Sequence, residues 1–408
     1  MARLAIVALA LTVLSGCGGS AASSTPSGRV AVSPTPLASP SQSAESPAPM
    51  QSISLVPTPG QTSAAAAAAP CLASSSSGTF LKTDGTSFTC AGRPVPLTGF
   101  TFYPALLGGA KAWHDPSFPS YIDHILEMGA AAGQNLIRAT DQWDKNTPGQ
   151  RADDPVVWSN MDYLLAAARK KGMFVVVDLS AFRWLLMSQG ADSTRADLWT
   201  PFIDQVAARY RDNPAVALYS IAGEPQTPAT PGELATLVDF YTTTSQALRT
   251  ADPNHLITVG GFNHMEDHPE LNWWQSIDRL ATNDVIAVKT YSQHDLSLMP
   301  DIAAYAGTVG KPILDEEFGM PQGFGDASFA GGAAYNGLAT GRAPFFNEVY
   351  SSGRALSFAG FIFWNMGCQI GPSSYEVSAA TPAVWAVVAR YGAVPSADPV
   401  ALGRSLCG

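Results

Sequence analysis

The sequence predicts a (β/α)8 TIM barrel preceded by a short β-hairpin, and three observations carry that expectation. From Cys71 onward, short apolar runs alternate with longer amphipathic stretches. There are about eight of each over roughly 310 residues, the repeat of a βα barrel with long loops. The apolar runs are nearly continuous, as in strands buried on both faces of a parallel sheet. No Gly-rich phosphate fingerprint follows the first run, where "FTFYP" (Phe100 to Pro104) stands, so a doubly wound open sheet lacks support.

The elements follow in order. "GTFLKTDGTSFTCAGRPVP", from Gly78, reads as a small hairpin turning at Asp84-Gly85. Strands are expected at Pro96–Tyr103, Asn135–Ala139, Phe174–Leu179, Val216–Ala222, Leu256–Gly260, Val285–Tyr291, Pro312–Phe318 and Gly360–Trp364. Helical patterns such as "PSYIDHILEMGAAAG" and "NMDYLLAAARKKG" lie between them. The helix after the fourth strand carries a start signal: Thr230 as cap, Pro231 in the first helical position and Glu233 completing a capping box.

Of the 408 residues, 46% are hydrophobic, enough for one large domain or two smaller ones. A net charge of −10 with no basic run excludes a nucleic-acid surface, which needs clustered Lys and Arg. Arg3 precedes an apolar run, Leu4 to Leu14, too short to span a bilayer and typical of a signal peptide. The run ends in "LSGC", which resembles the lipobox of bacterial lipoproteins. That resemblance implies removal of residues 1–16, lipidation of Cys17 and contact with the membrane through the lipid alone. The alternative is ordinary secretion with Cys17 incidental; on either reading the chain leaves the cytoplasm. Residues 17–70 are Ser, Ala, Pro, Thr and Gly with almost no large apolar content, so they are expected to form a disordered tether. The folded domain is expected over 71–408, as a monomer with no cofactor or metal.

With Cys17 assigned to lipid, Cys71, Cys90, Cys368 and Cys407 allow three disulfide pairings. Cys71–Cys90 would close the hairpin and Cys368–Cys407 would pin the C-terminus. Four buried free thiols are the alternative outside that scheme.

In a βα barrel the chemistry sits where strands end and loops begin. The fourth strand leads into Glu224, in "YSIAGEP", and the seventh, "KPILDEEFG", ends in Glu317. Strict alternation along the seventh strand groups Leu314, Glu316 and Phe318 on one face and Ile313, Asp315 and Glu317 on the other. Leu314 and Phe318 suit packing under the helices, which turns Glu317 to the barrel mouth and Glu316 away from it. The same rule groups Glu224 with Ala222 and Ser220 and sends Tyr219 and Ile221 outward.

From about Gly78 to Trp364 the chain resembles glycoside hydrolase family 5, of the clan of retaining (β/α)8 glycosidases. The resemblance rests on "NPAVALYSIAGEP" and "KPILDEEFG", and the opening "FLKTDGTSFTCAGRPVPLTG" looks most like the mannanase-type branch. It implies Glu224 as acid/base, Glu317 as nucleophile, Arg138 (in "NLIR") holding the nucleophile, and Trp364 flooring the sugar site. Tyr291 is placed to donate a hydrogen bond to Glu317, or is a half-buried strand-end tyrosine. The implied substrate is a β-linked glycan of mannan or glucan type.

Three positions depart from the family. Gly223 stands where an Asn normally contacts the sugar's 2-hydroxyl, Lys289 in "VKTY" replaces a His, and "VVVDLS" ends in Ser180 where a His often stands. Gly223 and Lys289 are therefore kept as altered substrate-site positions. Two functions follow: a retaining β-glycosidase with altered subsite chemistry, or a glycan-binding surface protein with weak or no catalysis. Trp143, Trp113 and Trp184 fall in loops and read either as sugar platforms or as loop packing. "HMEDH" (His264 to His268) places two His four apart but is not HExxH, and Ser220 has no His partner nearby in sequence, so metal and serine chemistry are set aside. The Gly/Ala-rich stretch Gly319 to Gly341 is long for a βα loop and reads as a lid or a disordered insertion.

Overall fold

The computed structural model of the chain describes residues 71–72, 79–104, 107–143, 151–179, 193–323 and 341–394. Cys17, the 1–16 leader, the 17–70 tether, Ser180, Trp184, residues 324–340 of the long loop and Cys407 lie outside these residues.

The hairpin is a three-stranded antiparallel sheet of β1 (Lys82–Asp84), β2 (Ser87–Cys90) and β3 (Arg93–Pro94). Asp84 pairs with Ser87 across the turn, and Gly85 takes φ +57° there, a conformation glycine adopts without a Cβ penalty. Cys71 is disulfide-bonded to Cys90, as the hairpin reading expects. Cys368 is disulfide-bonded as well.

The barrel comprises β4 (Leu97–Phe102), β5 (Leu136–Ala139), β6 (Phe174–Asp178), β7 (Val216–Ser220), β8 (Leu256–Thr258), β9 (Ile286–Thr290), β10 (Ile313–Phe318) and β11 (Gly360–Phe363). Each differs from its sequence-predicted range by no more than two residues at either end. The strands run parallel in the order β8-β7-β6-β5-β4-β11-β10-β9. A parallel bridge between Phe262 and Val288, with Lys289 N–H donating to Phe262 O at 3.1 Å, joins the two ends. Every barrel-strand residue is buried, which is why the strands read as apolar runs.

Helices follow the strands in turn: α1 (Pro119–Ala131), α2 (Pro155–Lys170), α3 (Thr200–Tyr210), α4 (Pro231–Ala251), α5 (Trp273–Asp278), α6 (Gln293–Val309), α7 (Arg342–Ala355) and α8 (Pro382–Tyr391). The start of α4 is as read from sequence. Thr230 Oγ1 accepts from Glu233 N–H at 3.2 Å, and the Glu233 carboxylate reaches back to the N–H of Ala229 at 2.7 Å.

Two local departures from regular strand geometry shape the barrel mouth. In β10 the register shifts between Asp315 and Glu317 against β9 and between Asp315 and Phe318 against β11. The bulge breaks alternation. Phe318 packs against Phe346 and Tyr350 of α7, as expected, and Asp315 is also close enough to Tyr350 to perturb it. Glu316, expected under the helices, instead faces the barrel interior beside Glu317. The second departure is at the end of β7, where Tyr219 points outward as read and donates to Asp252 at 2.9 Å. The strand stops at Ser220, and Glu224 is carried by a bend with φ +53°.

Asp278, at the end of α5, is fully buried. Asn283 donates to its Oδ1 at 3.0 Å and the Lys311 ammonium caps the adjacent backbone carbonyl. Burial pushes its carboxyl up to about 8, against the opposing pull of Lys311 and Asn283. The unfolded chain has an Asp pKa of about 3.9. The folded state therefore holds the proton more tightly, and this contribution to stability is full below about pH 4 and lost as pH rises through about 8. Melting temperatures measured from pH 5 to 9 should fall less steeply in Asp278→Asn than in the wild type.

Candidate active site

The mouth of the barrel is organised around Arg138, from β5, whose side chain is 1% exposed. Its Nη1 donates to Glu317 Oε2 at 2.5 Å and its Nη2 to Asp178 Oδ2 at 2.5 Å, while Nε lies 3.7 Å from Glu316 Oε1. Desolvation opposes its charge, but Asp178, Glu316 and Glu317 outweigh it and hold the guanidinium well above its ordinary value. It is a fixed cation clamped by three carboxylates from β6 and β10.

Glu317 receives two further donors. Lys289 Nζ, from β9, donates to Oε2 at 2.9 Å, and Tyr291 OH donates to Oε1 at 2.5 Å. Burial and the Glu317 charge push the Tyr291 phenol well above its usual range, so it remains a hydrogen donor. Three donors on one carboxylate favour its ionised form, the state a nucleophile requires.

Glu224 faces the same ammonium. Lys289 Nζ lies 3.4 Å from Glu224 Oε1, and Asn263 Nδ2 donates to that oxygen at 3.4 Å. The space beside Gly223 is bounded by the Gly261 backbone and by Lys289. A Cβ on Gly223 would stand 2.8 Å from Gly261 O and 3.3 Å from Lys289 Cε. One on Gly261 would stand 2.9 Å from Lys289 Cγ. The Lys289 side chain is fully buried against these two glycines, so a larger residue at 223 would crowd the Gly261 carbonyl first and Lys289 after it.

An open cleft of about 660 Å³ lies over the two glutamates, with Asn263, His264, Tyr291 and Trp364 among its walls. Trp364 stacks on Tyr103 at 5.4 Å and lines the cleft, as does Tyr375.

The structure thus brings Glu224, Glu317, Arg138, Tyr291, Lys289, Gly223 and Trp364 to one place; Arg138 holds Glu317 as the resemblance implies, and the expectation of substrate contact changes at Lys289 and Trp143. Arg138 and Lys289 are buried and act on the carboxylates. Trp143 does not line the cleft: it is 3% exposed and packs on Trp158 at 5.3 Å and Phe202 at 5.4 Å, in the core beneath its loop. Trp113 is likewise buried, with its indole N–H donating to Thr140 O. In "HMEDH", His264 and Glu266 line the cleft, while His268 pairs with Glu270 at 3.4 Å. Ser220 is fully buried below the mouth.

Four site residues escape the sequence reading. Asp178 was accessible to the strand-end rule, being the last residue of β6. Asn263 follows the Gly-Gly after β8, and Tyr375 comes from a loop with no strand pattern to place it. Glu316 was hidden by the bulge.

Residues 90–327 match the family model for Cellulase (glycosyl hydrolase family 5). The chain is 24% identical over 366 residues to a putative mannan endo-1,4-beta-mannosidase 9 of Oryza sativa subsp. japonica, covering 75% of this chain and 86% of that protein. It is 24% identical over 219 residues to mannan endo-1,4-beta-mannosidase F of Aspergillus clavatus, covering 46% of this chain and 48% of the relative, about half of its length. Among solved structures, the endo-1,4-beta-mannanase of Rhizomucor miehei superposes with a TM-score of 0.58 at 16% identity, over 77% of this chain and 98% of that one. A beta-glucanase of Saccharophagus degradans superposes with a TM-score of 0.55 at 15% identity, over 82% and 98%. With the family model spanning more than half of the sequence and both glutamates inside it, the chain belongs to glycosyl hydrolase family 5 and is a glycoside hydrolase.

Proposed function

We propose that the protein is a retaining β-glycosidase acting on a β-linked glycan of mannan or glucan type, with Glu317 as nucleophile and Glu224 as acid/base. One observation carries the reading: a single ammonium, that of Lys289, lies 2.9 Å from Glu317 Oε2 and 3.4 Å from Glu224 Oε1. The two oxygens are therefore no farther apart than the sum of those lengths. That is compatible with the ~5–5.5 Å carboxyl separation of retaining enzymes and short of the upper part of the wider inverting range.

In the first step Glu317 attacks the anomeric carbon while Glu224 gives its proton to the leaving oxygen. In the second, Glu224 takes a proton from water, which displaces Glu317 from the sugar. Arg138, Lys289 and Tyr291 orient the Glu317 carboxylate for attack. Once Glu317 is esterified its charge is gone, and Lys289 is left beside the ionised Glu224 that must act as base. Trp364 supplies the apolar platform on which a sugar face stacks. The mannosidase names of the relatives support mannan as the first substrate to test. The "LSGC" leader supports an extracytoplasmic enzyme anchored through lipid on Cys17.

A second reading is favoured by one observation. Gly223 offers no side-chain amide to a sugar's 2-hydroxyl, a contact whose strengthening in the transition state contributes to rate. A barrel without that contact can still bind glycans. Purified protein incubated with β-mannan, β-glucan and aryl β-glycosides decides. Turnover abolished by Glu317→Ala supports the enzyme, whereas binding without turnover of any substrate supports the binding protein.

The enzyme reading also fixes the sign of a Lys289 change. Lys289→Met keeps most of the side-chain volume but leaves two carboxylates facing each other without a shared cation. It should lower kcat on the accepted glycan by about 10²-fold, the scale of losing one preorganised donor in a site of this kind. Steady-state kinetics beside a thermal melt check this, and unchanged kcat in a folded variant would contradict it.

A further inference from the structure

The bend bearing Glu224 is held from outside its own strand. A non-glycine residue adopts φ +53° only where its surroundings enforce it. The Glu224 N–H donates to the carbonyl of Gly261 at 3.0 Å. The N–H of the same Gly261 donates to Oε2 of Glu316 at 2.5 Å. Gly261 is therefore gripped at both ends: its carbonyl by the residue that carries the acid/base, its amide by a carboxylate of β10.

Glu316 is suited to that grip. It is 0% exposed and does not line the cleft, so no sugar reaches it. Its other oxygen, Oε1, has no hydrogen bond among the described residues and lies 3.7 Å from Arg138 Nε. A Cβ on Gly261 would stand 2.9 Å from Glu316 Oε2, so a glycine is what permits the approach. The bulge in β10 is what turns Glu316 inward at all.

We propose that Glu316 is a positioning residue for the acid/base Glu224, acting through the backbone of Gly261. The inference rests on the assignment of Glu224 made above and adds to it the group that fixes where its proton is delivered. A charge-assisted hydrogen bond donated by Gly261 N–H to a buried carboxylate is short and directional. It sets the carbonyl of Gly261, and with it the bend from which the Glu224 side chain departs.

The test exploits leaving groups. A 2,4-dinitrophenolate departs without protonation, whereas a phenolate needs the acid. kcat/KM is measured for 2,4-dinitrophenyl and phenyl β-cellobioside and β-mannobioside with the wild type, Glu316→Leu, Glu316→Gln and Glu316→Asp, each checked by thermal melt. Glu316→Leu removes the acceptor and should lower kcat/KM on the phenyl glycoside by about 10²-fold, the scale of a misplaced catalytic group. On the dinitrophenyl glycoside it should lose less than about three-fold, because that step does not draw on the acid. Glu316→Gln, which keeps an oxygen for Gly261, should recover at least about ten-fold of the phenyl loss, as a weaker neutral acceptor would. Glu316→Asp, which keeps the charge but withdraws it by one methylene, should show the same selective loss and replaces Glu316→Leu if that variant does not fold. Equal losses on both leaving groups mean that Glu316 acts through Arg138 on Glu317 or on the fold at large, and overturn the proposal. So does unchanged activity in a folded Glu316→Leu or Glu316→Asp. A wild type inactive on both sugars sinks the glycosidase mechanism itself, and this inference with it.

Discussion

Glu317→Ala is expected to lower kcat/KM on the accepted glycan by on the order of 10⁵-fold, the scale seen when the nucleophile of a covalent mechanism is removed. Binding should survive, because the cleft walls, including Trp364 and Tyr375, are untouched. The fold should survive too. Removing this carboxylate leaves Arg138 paired with Asp178, and Lys289 keeps Glu224 as a neighbour, so neither cation is left buried alone. Activity measured with added azide sharpens the test. In the cavity left by the alanine, azide can attack the anomeric carbon from the nucleophile's side, and the expected product is the α-glycosyl azide from an activated β-glycoside. Full activity of the alanine variant without azide would remove Glu317 from the mechanism.

Glu224→Ala has the second largest expected effect, and its signature differs. On the polymer, whose leaving group needs a proton, the loss should be about 10³-fold, within the range of general acid catalysis. On a 2,4-dinitrophenyl glycoside, kcat/KM should change little, since the first step no longer depends on the acid. The second step should become rate-limiting, because no base is left to activate water. Azide, which needs no base, should then restore kcat and yield the β-glycosyl azide. The opposite anomers expected from the two variants follow from placing the two carboxylates on opposite sides of the reacting carbon. A uniform loss across leaving groups would contradict the acid/base role.

The barrel was legible because its strands are buried on both faces, so each appears as a bounded apolar run from Leu97 to Phe363. The convergence of Glu224 and Glu317 was legible from the rule that strand ends meet at one face of such a barrel. What alternation could not supply was Glu316. A bulge adds a residue without any residue-type signature, and one slip reverses the face of a side chain. Trp143 failed for a different reason. An indole in a βα loop is equally at home on a sugar or on Trp158 and Phe202, and only the fold chooses between them. The partnership of Gly223 with Lys289 was visible as two departures from the family but not as one event. Their contact exists only once the bend after β7, Gly261 after β8 and Lys289 of β9 are folded together.

Glu317 is expected to form a covalent bond to the sugar while Glu224 serves it from the other side. Mass spectrometry after incubation with a 2,4-dinitrophenyl 2-deoxy-2-fluoro-β-glycoside tests it most directly, since the fluorine slows the second step and lets the intermediate accumulate. The expected result is one sugar per chain, located by digestion to Glu317. A chain that hydrolyses the unfluorinated glycoside but gains no mass, or carries the sugar on Glu224 or Glu316, would contradict it.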